Sequence, residues 1–247
     1  MNHQNLAQML GSFTRLRRLE ANWRGKDYFV GDIAGQYSAL KHALHKAQFD
    51  PRQDRLFCAG NLIDPGIESR EVLNLLMQPW FFSVLGLHEL MLLDALQRGH
   101  YLHWYMAGGQ WAFNQNLELK CDLVNIPPLL QALPIAYIIE QRKYPPLGLV
   151  SAAPLKHFSE EGFIQASLVQ LLDCLIGHDI WTKKRRYYNE LDFVILGGEP
   201  ARKNWAKGNI TGINLGAALM PQRGTLTLFK RKKLRKTIDQ QLPYKAF

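Results

Sequence analysis

The 247-residue sequence predicts one α/β domain, and three observations support this prediction. First, short apolar and aromatic runs lead into a turn, most of them through a glycine; they cover residues 27–32, 55–61, 82–88, 148–153 and 193–198. Second, helical patterns accompany the early runs, at residues 36–48, 69–77 and 89–97. Third, later β-rich runs at residues 209–218 and 224–230 indicate mixed β-sheets flanked by helices. Such a succession places a functional site at the carboxyl ends of the strands.

Residues 1–25 are predicted to form an N-terminal amphipathic helix. Apolar side chains recur at helical spacing, opposite Arg15, Arg17 and Arg18. The apolar face comprises Leu6, Met9, Leu10, Phe13, Leu16 and Leu19. We expect this helix to pack on the domain. A helix that binds a partner or lies on a membrane surface is the alternative.

Residues 26–230 are expected to form the domain, followed by a basic C-terminal tail over residues 231–247. The run at 27–32 is typical of a buried strand, and Gly31 follows its aromatic residues. Glycine is suited to that position because it permits a tight turn and the close approach of a ligand. The later runs repeat this arrangement, so we expect their ends to meet at one site.

Composition places the chain among ordinary folded proteins, with 47% hydrophobic and 21% charged residues. No apolar run approaches the roughly 18–20 residues of a membrane span. The N-terminus lacks the features of a secretory signal, so a cytoplasmic location is expected. Cys58, Cys121 and Cys174 are widely spaced in apolar surroundings, which is typical of reduced core thiols.

The positive charge of the chain is concentrated in two runs. The net charge is +9, and the two runs together contain ten basic residues. They are Lys183, Lys184, Arg185 and Arg186, then Lys230, Arg231, Lys232, Lys233, Arg235 and Lys236. Local basicity can attract phosphate groups or nucleic acid, although a solvated basic surface is the simpler interpretation.

Four glycine-bounded motifs follow the predicted strands. They are Gly31-Asp-Ile-Ala-Gly35, Gly60-Asn-Leu-Ile-Asp-Pro-Gly66, Gly86-Leu-His-Glu89 and Gly197-Gly-Glu-Pro200. Over residues 26–230 their order and spacing resemble the bacterial and phage protein phosphatases typified by the phage lambda enzyme. That group lies within the calcineurin-like metallophosphoesterases. The resemblance implies the calcineurin-like metallophosphoesterase fold.

The first two motifs keep part of the functional set that the resemblance implies. Asp32 matches a metal-binding aspartate, whereas Ala34 stands at a metal-binding histidine position. Asn61 stands at the position of the metal-bridging aspartate, and Pro65 at that of a phosphate-binding arginine. Asp64 matches an aspartate that the family keeps.

The later motifs show the same loss. Leu87 occupies the position of an asparagine ligand, while His88 matches the family histidine beside it. Ser151 and Gly198 occupy positions at which the resemblance implies two further metal-binding histidines. Lys183 aligns with a phosphate-contacting arginine and is a candidate phosphate contact.

This substitution pattern predicts a degenerate metal site. Of the six metal ligands that the resemblance implies, Asp32 alone keeps its residue type, so we expect no cofactor. A two-metal centre needs a bridging carboxylate, and Asn61 offers only a neutral carbonyl. The retained Asp64 and His88 match a pair that protonates a leaving group, but a structural hydrogen bond between two loops explains them equally well.

Three functions therefore remain open. The favoured hypothesis is a pseudophosphatase, a catalytically inactive binding or regulatory module with a protein partner. The second is a divergent phosphoric monoester hydrolase that binds Mn²⁺ or a similar ion through Asp32, Asn61, Asp64 and His88. The third is a nucleic-acid-associated protein that uses the basic runs beginning at Lys183 and Lys230.

Overall fold

A computed structural model of the chain describes residues 3–119, 123–177, 185–241 and 243. Its strands are β1 Leu16–Leu19, β2 Asp27–Val30, β3 Arg55–Cys58, β4 Phe81–Ser83, β5 Ala136–Ile139, β6 Leu147–Val150, β7 Phe193–Leu196, β8 Trp205–Lys207, β9 Ile210–Gly212 and β10 Phe229–Lys230. The α-helices are α1 His3–Met9, α2 Tyr37–Lys46, α3 Ser69–Asn74, α4 Leu87–Arg98, α5 Tyr101–Met106, α6 Ile126–Gln131, α7 Glu160–Gln165, α8 Leu168–Ile176 and α9 Arg231–Asp239. Five early predicted strands and three predicted helices are confirmed within a few residues.

The strands form two mixed sheets. One has the order β10-β2-β3-β4, in which β2, β3 and β4 are parallel and β10 is antiparallel. The other has the order β1-β5-β6-β7-β9-β8, with antiparallel pairing of β5 with β6 and of β8 with β9. The mixed α/β architecture predicted from the sequence is therefore confirmed.

A shared hydrophobic core joins the two sheets. Phe29 and Phe57 stack with their ring centroids 5.5 Å apart, and Phe57 meets Tyr137 of the other sheet edge-to-face at 6.1 Å. Full burial of a large apolar side chain stabilises a fold by about 1.5–3 kcal/mol. Further members of this core are Leu147, Leu149, Phe193 and Ile195. These contacts fix the two sheets against each other, and with them the loops at their edges.

The predicted helix over residues 1–25 is only partly correct. The helix α1 and a 3₁₀ turn at Leu10–Ser12 bury Leu6 and Leu10 against the domain, as expected for a packed helix. The segment Leu16–Leu19 is instead β1, an edge strand that runs parallel to β5. Backbone hydrogen bonds join the β1 segment to the β5 segment, and a helix at this place could not form them. Pairing with β5 therefore outweighs the helical spacing of the apolar residues.

The predicted basic tail also begins with regular structure. Helix α9 buries Leu234 and Ile238, and its Arg231 and Arg235 both bind the carboxylate of Asp192. Part of the charge that suggests a solvated tail therefore anchors a helix. Residues beyond this helix contribute only 240, 241 and 243 to the described part of the chain.

Within the described residues, no helix combines the length and apolarity that crossing a bilayer requires. Cys58 and Cys174 are free, buried thiols, as expected, and burial raises the pKa of Cys174 to about 12. Cys121 lies outside the described residues.

Candidate functional site

Five of the site residues predicted from the sequence line one cavity at the carboxyl ends of the strands. Its volume is about 220 Å³. Asp32 follows β2, Asn61 follows β3, and Leu87 and His88 begin α4 after β4. Gly198, which follows β7 in the other sheet, completes the group. The topology therefore brings together motifs that are far apart in the sequence.

Three further predicted positions lie near the cavity without lining it. Ser151 is fully buried directly after β6, and its carbonyl accepts a hydrogen bond from the backbone N–H of Gly197 at 2.8 Å. Ala34 is buried in the turn after β2, with a φ of +52°. Pro65, at the phosphate-binding arginine position, is exposed. Lys183, the candidate phosphate contact, lies outside the described residues.

Asn61 and Asp32 form the polar floor of the cavity. The Asn61 Nδ2 group donates a hydrogen bond to Asp32 Oδ2 at 3.1 Å, and Asn61 Oδ1 accepts from the backbone N–H of His88 at 3.4 Å. The other Asp32 oxygen, Oδ1, is buried without a partner among the described residues. Burial raises the pKa of Asp32 from 3.8 to about 7, against smaller opposing effects of the Asn61 hydrogen bond and the His88 charge. This carboxylate lacks the strong positive neighbour that a buried charge requires.

These residues do not fit the two-metal centre that the resemblance implies. A bridging position must present an anionic oxygen to both ions, but Asn61 points an N–H group at Asp32. Ala34, Leu87 and Gly198 carry no donor atom in their side chains. In the described ranges, His, Cys, Asp and Glu side chains form no group of three or more with metal-binding geometry. The unpartnered Asp32 Oδ1 remains as a single anionic acceptor.

Asp64 and His88 form a second polar cluster behind the cavity. The buried carboxylate of Asp64 accepts hydrogen bonds from Trp104 Nε1 at 3.0 Å and from Trp111 Nε1 at 2.5 Å. Its Oδ2 atom also lies 3.0 Å from His88 Nδ1. Sequence reasoning did not identify the two tryptophans as partners of Asp64. The Gly-Gly-Gln-Trp segment ending at Trp111 was the signal that could have located one of them.

The His88 side chain is 26% exposed and lines the cavity. Burial, the largest influence, lowers its pKa, but the hydrogen bond with Asp64 and the charges of Asp64, Glu89 and Asp32 together raise the pKa above 6.5. The imidazole is thus held as a hydrogen-bond donor, and a proton donor to a bound ligand is what this pair can supply.

Glu89 stabilises the loops around the site. Its fully buried carboxylate accepts backbone N–H groups from Asn61 at 2.9 Å, Leu62 at 2.8 Å, Ile63 at 3.4 Å and Gly86 at 3.0 Å. It is the third residue of α4 and forms its capping box. Burial raises its pKa. Glu89 therefore caps α4 and also links the loop after β3 to that helix.

Asn214 and Glu199 complete the opposite side of the cavity. Asn214 Nδ2 donates to the Gly198 carbonyl at 2.7 Å, and its Oδ1 accepts from the Gly216 N–H at 2.9 Å. Glu199 is exposed at the rim. The sequence offered no motif that marks Asn214. Apolar residues form much of the remaining lining, namely Ala152, Leu175, Ile176, Pro200, Ala218 and Leu219.

Comparisons with known proteins identify the family of the chain. Residues 28–208 match the family model described as calcineurin-like phosphoesterase. The chain is 32% identical to serine/threonine-protein phosphatase 1 of Salmonella typhimurium over 213 residues, which cover 86% of the chain and 94% of that protein. It is 39% identical to serine/threonine-protein phosphatase 2 of Escherichia coli over 127 residues, which cover 51% of the chain and 57% of that protein.

Solved structures of related fold extend over most of the chain. A protein serine/threonine phosphatase from Saccharomyces cerevisiae superposes with a TM-score of 0.52 at 13% identity, covering 93% of this chain and 90% of that one. A cold-active protein-tyrosine phosphatase from a Shewanella species gives 0.54 at 12% identity, with coverage of 89% and 79%. At these identities the structures show a shared fold. The family match over residues 28–208 and the Salmonella relative show that the chain belongs to the calcineurin-like phosphoesterase family.

Proposed function

We propose that this protein is a pseudophosphatase, a family member that has lost catalysis and acts as a binding or regulatory module. The observation that carries the proposal is the hydrogen bond from the Asn61 amide to Asp32. It occupies the place where the resemblance implies a carboxylate shared by two cations. Without those cations the site has no means of generating hydroxide at neutral pH or of neutralising phosphate oxygens.

The preserved architecture around the lost ligands supports a binding role. Glu89 still fixes both loops, and Asp64 still holds His88 at the cavity wall. A nonfunctional cavity would have no need of a buried carboxylate with an open oxygen at Asp32, because such a group costs stability. The retained shape and polarity are explained if the cavity receives part of another molecule.

The size and lining of the cavity favour a protein partner. At about 220 Å³ it is smaller than the roughly 300–1,000 Å³ typical of small-molecule sites. It combines an apolar rim, including Leu87 and Leu219, with polar groups at Asp32 and His88. We infer that it receives one or two side chains of a partner, with a donor group directed at Asp32. No cofactor is needed for this role.

The test is a measurement of metal binding and turnover on the same purified protein. Mn²⁺ titration by calorimetry and metal analysis are combined with hydrolysis of p-nitrophenyl phosphate. We expect no stoichiometric metal and no turnover above that of the Asp32→Ala variant. Stoichiometric Mn²⁺ together with turnover that disappears in Asp32→Ala would overturn the proposal.

A divergent phosphoesterase is the second candidate, favoured by the Asp64–His88 pair, whose imidazole lines the cavity. Relatives bear the names of active enzymes, including bis(5'-nucleosyl)-tetraphosphatase from Dechloromonas aromatica over 74 matched residues. Of the four residues expected from the sequence to bind such an ion, Asp64 does not line the cavity and His88 Nδ1 is bound to it. In this case a single ion would bind Asp32 and the Asn61 carbonyl, and His88 would protonate the leaving group. The His88→Asn variant would then lower kcat without changing Mn²⁺ affinity, while Asp32→Ala would abolish both.

A further inference from the structure

A second and larger cavity lies at the opposite end of β2 from the candidate site. Its volume is about 660 Å³. The chain between β1 and β2, the turn between β5 and β6, and the start of α9 form its walls. Because Asp32 follows the end of β2 while this cavity borders Asp27 at its beginning, the two sites are separated by the length of the strand.

The lining of this cavity is strongly basic. Six lining side chains are cationic and two are anionic. The cationic ones are Lys26, Arg142, Lys143, Lys230, Arg231 and Lys232. They come from three separate segments of the sequence, so only the beginning of the predicted basic run at Lys230 belongs to this group.

The two acidic groups are neutralised by arginines that do not line the cavity. Asp27 forms a bidentate ion pair with Arg55, with both N–O distances at 2.8 Å. Glu140 binds Arg18 at 2.5 Å.

The lysines remain available for an anionic ligand. Lys26, Lys143 and Lys232 are exposed and have no carboxylate partner within the described part of the chain. Several uncompensated cations around one concave surface create a positive potential that attracts polyanions.

Two exposed aromatic rings accompany this charge. Trp23 is 72% exposed beside the cavity, and the Arg142 guanidinium lies 5.3 Å from its ring centroid. Tyr144 is 56% exposed in the lining, and Arg231 lies 3.4 Å from its ring centroid. Cation–π contacts with the two arginines hold these rings in position.

We propose that this basic aromatic cavity binds single-stranded nucleic acid. Lysines would contact successive phosphates, and Trp23 and Tyr144 would stack with bases. This combination of a cationic groove and aromatic platforms is the usual means of binding single strands without sequence preference. Phosphate-rich polymers without bases would use the lysines alone, so the aromatic rings favour nucleic acid. The proposal is independent of whether the Asp32 cavity is catalytic.

Fluorescence anisotropy with labelled dT15 and rU15, across a range of NaCl concentrations, tests the proposal on the full chain. The variant Lys26→Ala/Lys143→Ala/Lys232→Ala is expected to bind at least about tenfold more weakly than wild type and to reduce the salt slope by about 2, since each single-strand phosphate contact contributes about 0.7. The matched control is Lys41→Ala/Lys46→Ala/Lys156→Ala, which removes the same charge from exposed lysines elsewhere. Equal weakening by both variants would overturn the proposal.

Stacking is tested separately with Trp23→Ala and Trp23→Phe. The alanine variant is expected to lose about tenfold in affinity for dT15 or rU15, and the phenylalanine variant to retain most of it. Neither variant should alter the binding of inorganic polyphosphate. The control Tyr187→Ala, which removes another exposed ring, should leave the affinity for dT15 and rU15 unchanged. Unchanged dT15 and rU15 binding in Trp23→Ala, or binding of poly-glutamate as tight as that of the oligonucleotides, would contradict the proposed ligand.

Discussion

Asn61 and Asp32 follow neighbouring parallel strands, and their side chains are joined by one hydrogen bond of 3.1 Å from amide to carboxylate. The amide satisfies one oxygen of Asp32, while the other oxygen stays buried without a partner. A neutral partner thus stands beside a carboxylate whose pKa burial raises to about 7. The stability of the site should accordingly depend on pH.

We predict that Asp32→Asn stabilises the protein at high pH. The folded state raises the pKa of Asp32 to about 7. The protonated carboxyl group therefore contributes fully to the free energy of unfolding below about pH 4, and this contribution is lost as pH rises towards 7. Asp32 as a whole is partly exposed, so we expect about 2 kcal/mol of gain at pH 8, below the ~4 kcal/mol that the full shift implies. Urea unfolding at pH 4 and pH 8 measures it. A difference from wild type that does not change with pH would contradict the prediction.

The Asn61→Asp variant should have the opposite effect. It places a second carboxylate against Asp32 with no cation between them, and we expect a loss of about 2–4 kcal/mol at pH 8. The double variant Asp32→Asn/Asn61→Asp restores one amide and one carboxylate, so it should recover most of the stability. Chemical denaturation of the wild type, the Asp32→Asn and Asn61→Asp variants and the double variant completes the required cycle. Failure of the double variant to recover would show that the loss has another cause.

The raised pKa of the His88 imidazole should depend on Asp64. Its pKa is raised in the folded protein, so its stabilising contribution is present below about pH 6.5 and disappears as pH rises through the folded value. We expect Asp64→Asn to lower the pKa of His88, measured by NMR titration of the ring protons. Asp94→Asn, which removes a carboxylate 3.0 Å from His100, is the matched control and should leave the His88 titration unchanged.

Replacing Glu89 should lower the free energy of unfolding more than replacing an ordinary surface carboxylate does. Glu89→Ala leaves four backbone N–H groups without their acceptor, and we expect a loss of about 3–5 kcal/mol. Glu68→Ala, at a partly exposed carboxylate that binds Ser38, should cost under about 1 kcal/mol. Thermal unfolding compares the two. Similar losses would contradict the role assigned to Glu89.

Restoring the implied ligands should restore metal affinity. The variant carries Ala34→His, Asn61→Asp, Pro65→Arg, Leu87→Asn, Ser151→His and Gly198→His. Histidine is compatible with the positive φ of Ala34 and Gly198, because it is among the residues enriched there. We expect Mn²⁺ binding by calorimetry in the restored protein. The same protein with Asp32→Ala is the control, and a folded restored protein that gains no Mn²⁺ affinity would contradict the residue assignments.

Prediction from sequence succeeded where local pattern and final structure agree. Glycine turns after apolar runs located the strand ends, and those ends bring Asp32, Asn61 and His88 together. It failed at Leu16–Leu19, because pairing with β5 outweighs helical periodicity. It also missed the indole partners of Asp64 and the meeting of Trp23 with Arg142, since contacts between distant segments leave no local pattern.

The backbone contacts of Glu89 allow the side chains of the site to change during evolution while the loops stay in place. The loops are held by main-chain N–H groups, which every non-proline residue supplies regardless of its side chain. The walls of the cavity can therefore exchange their side chains while the frame remains folded. A lineage could discard its chemistry one residue at a time, and the same frame is open to redesign with a new lining.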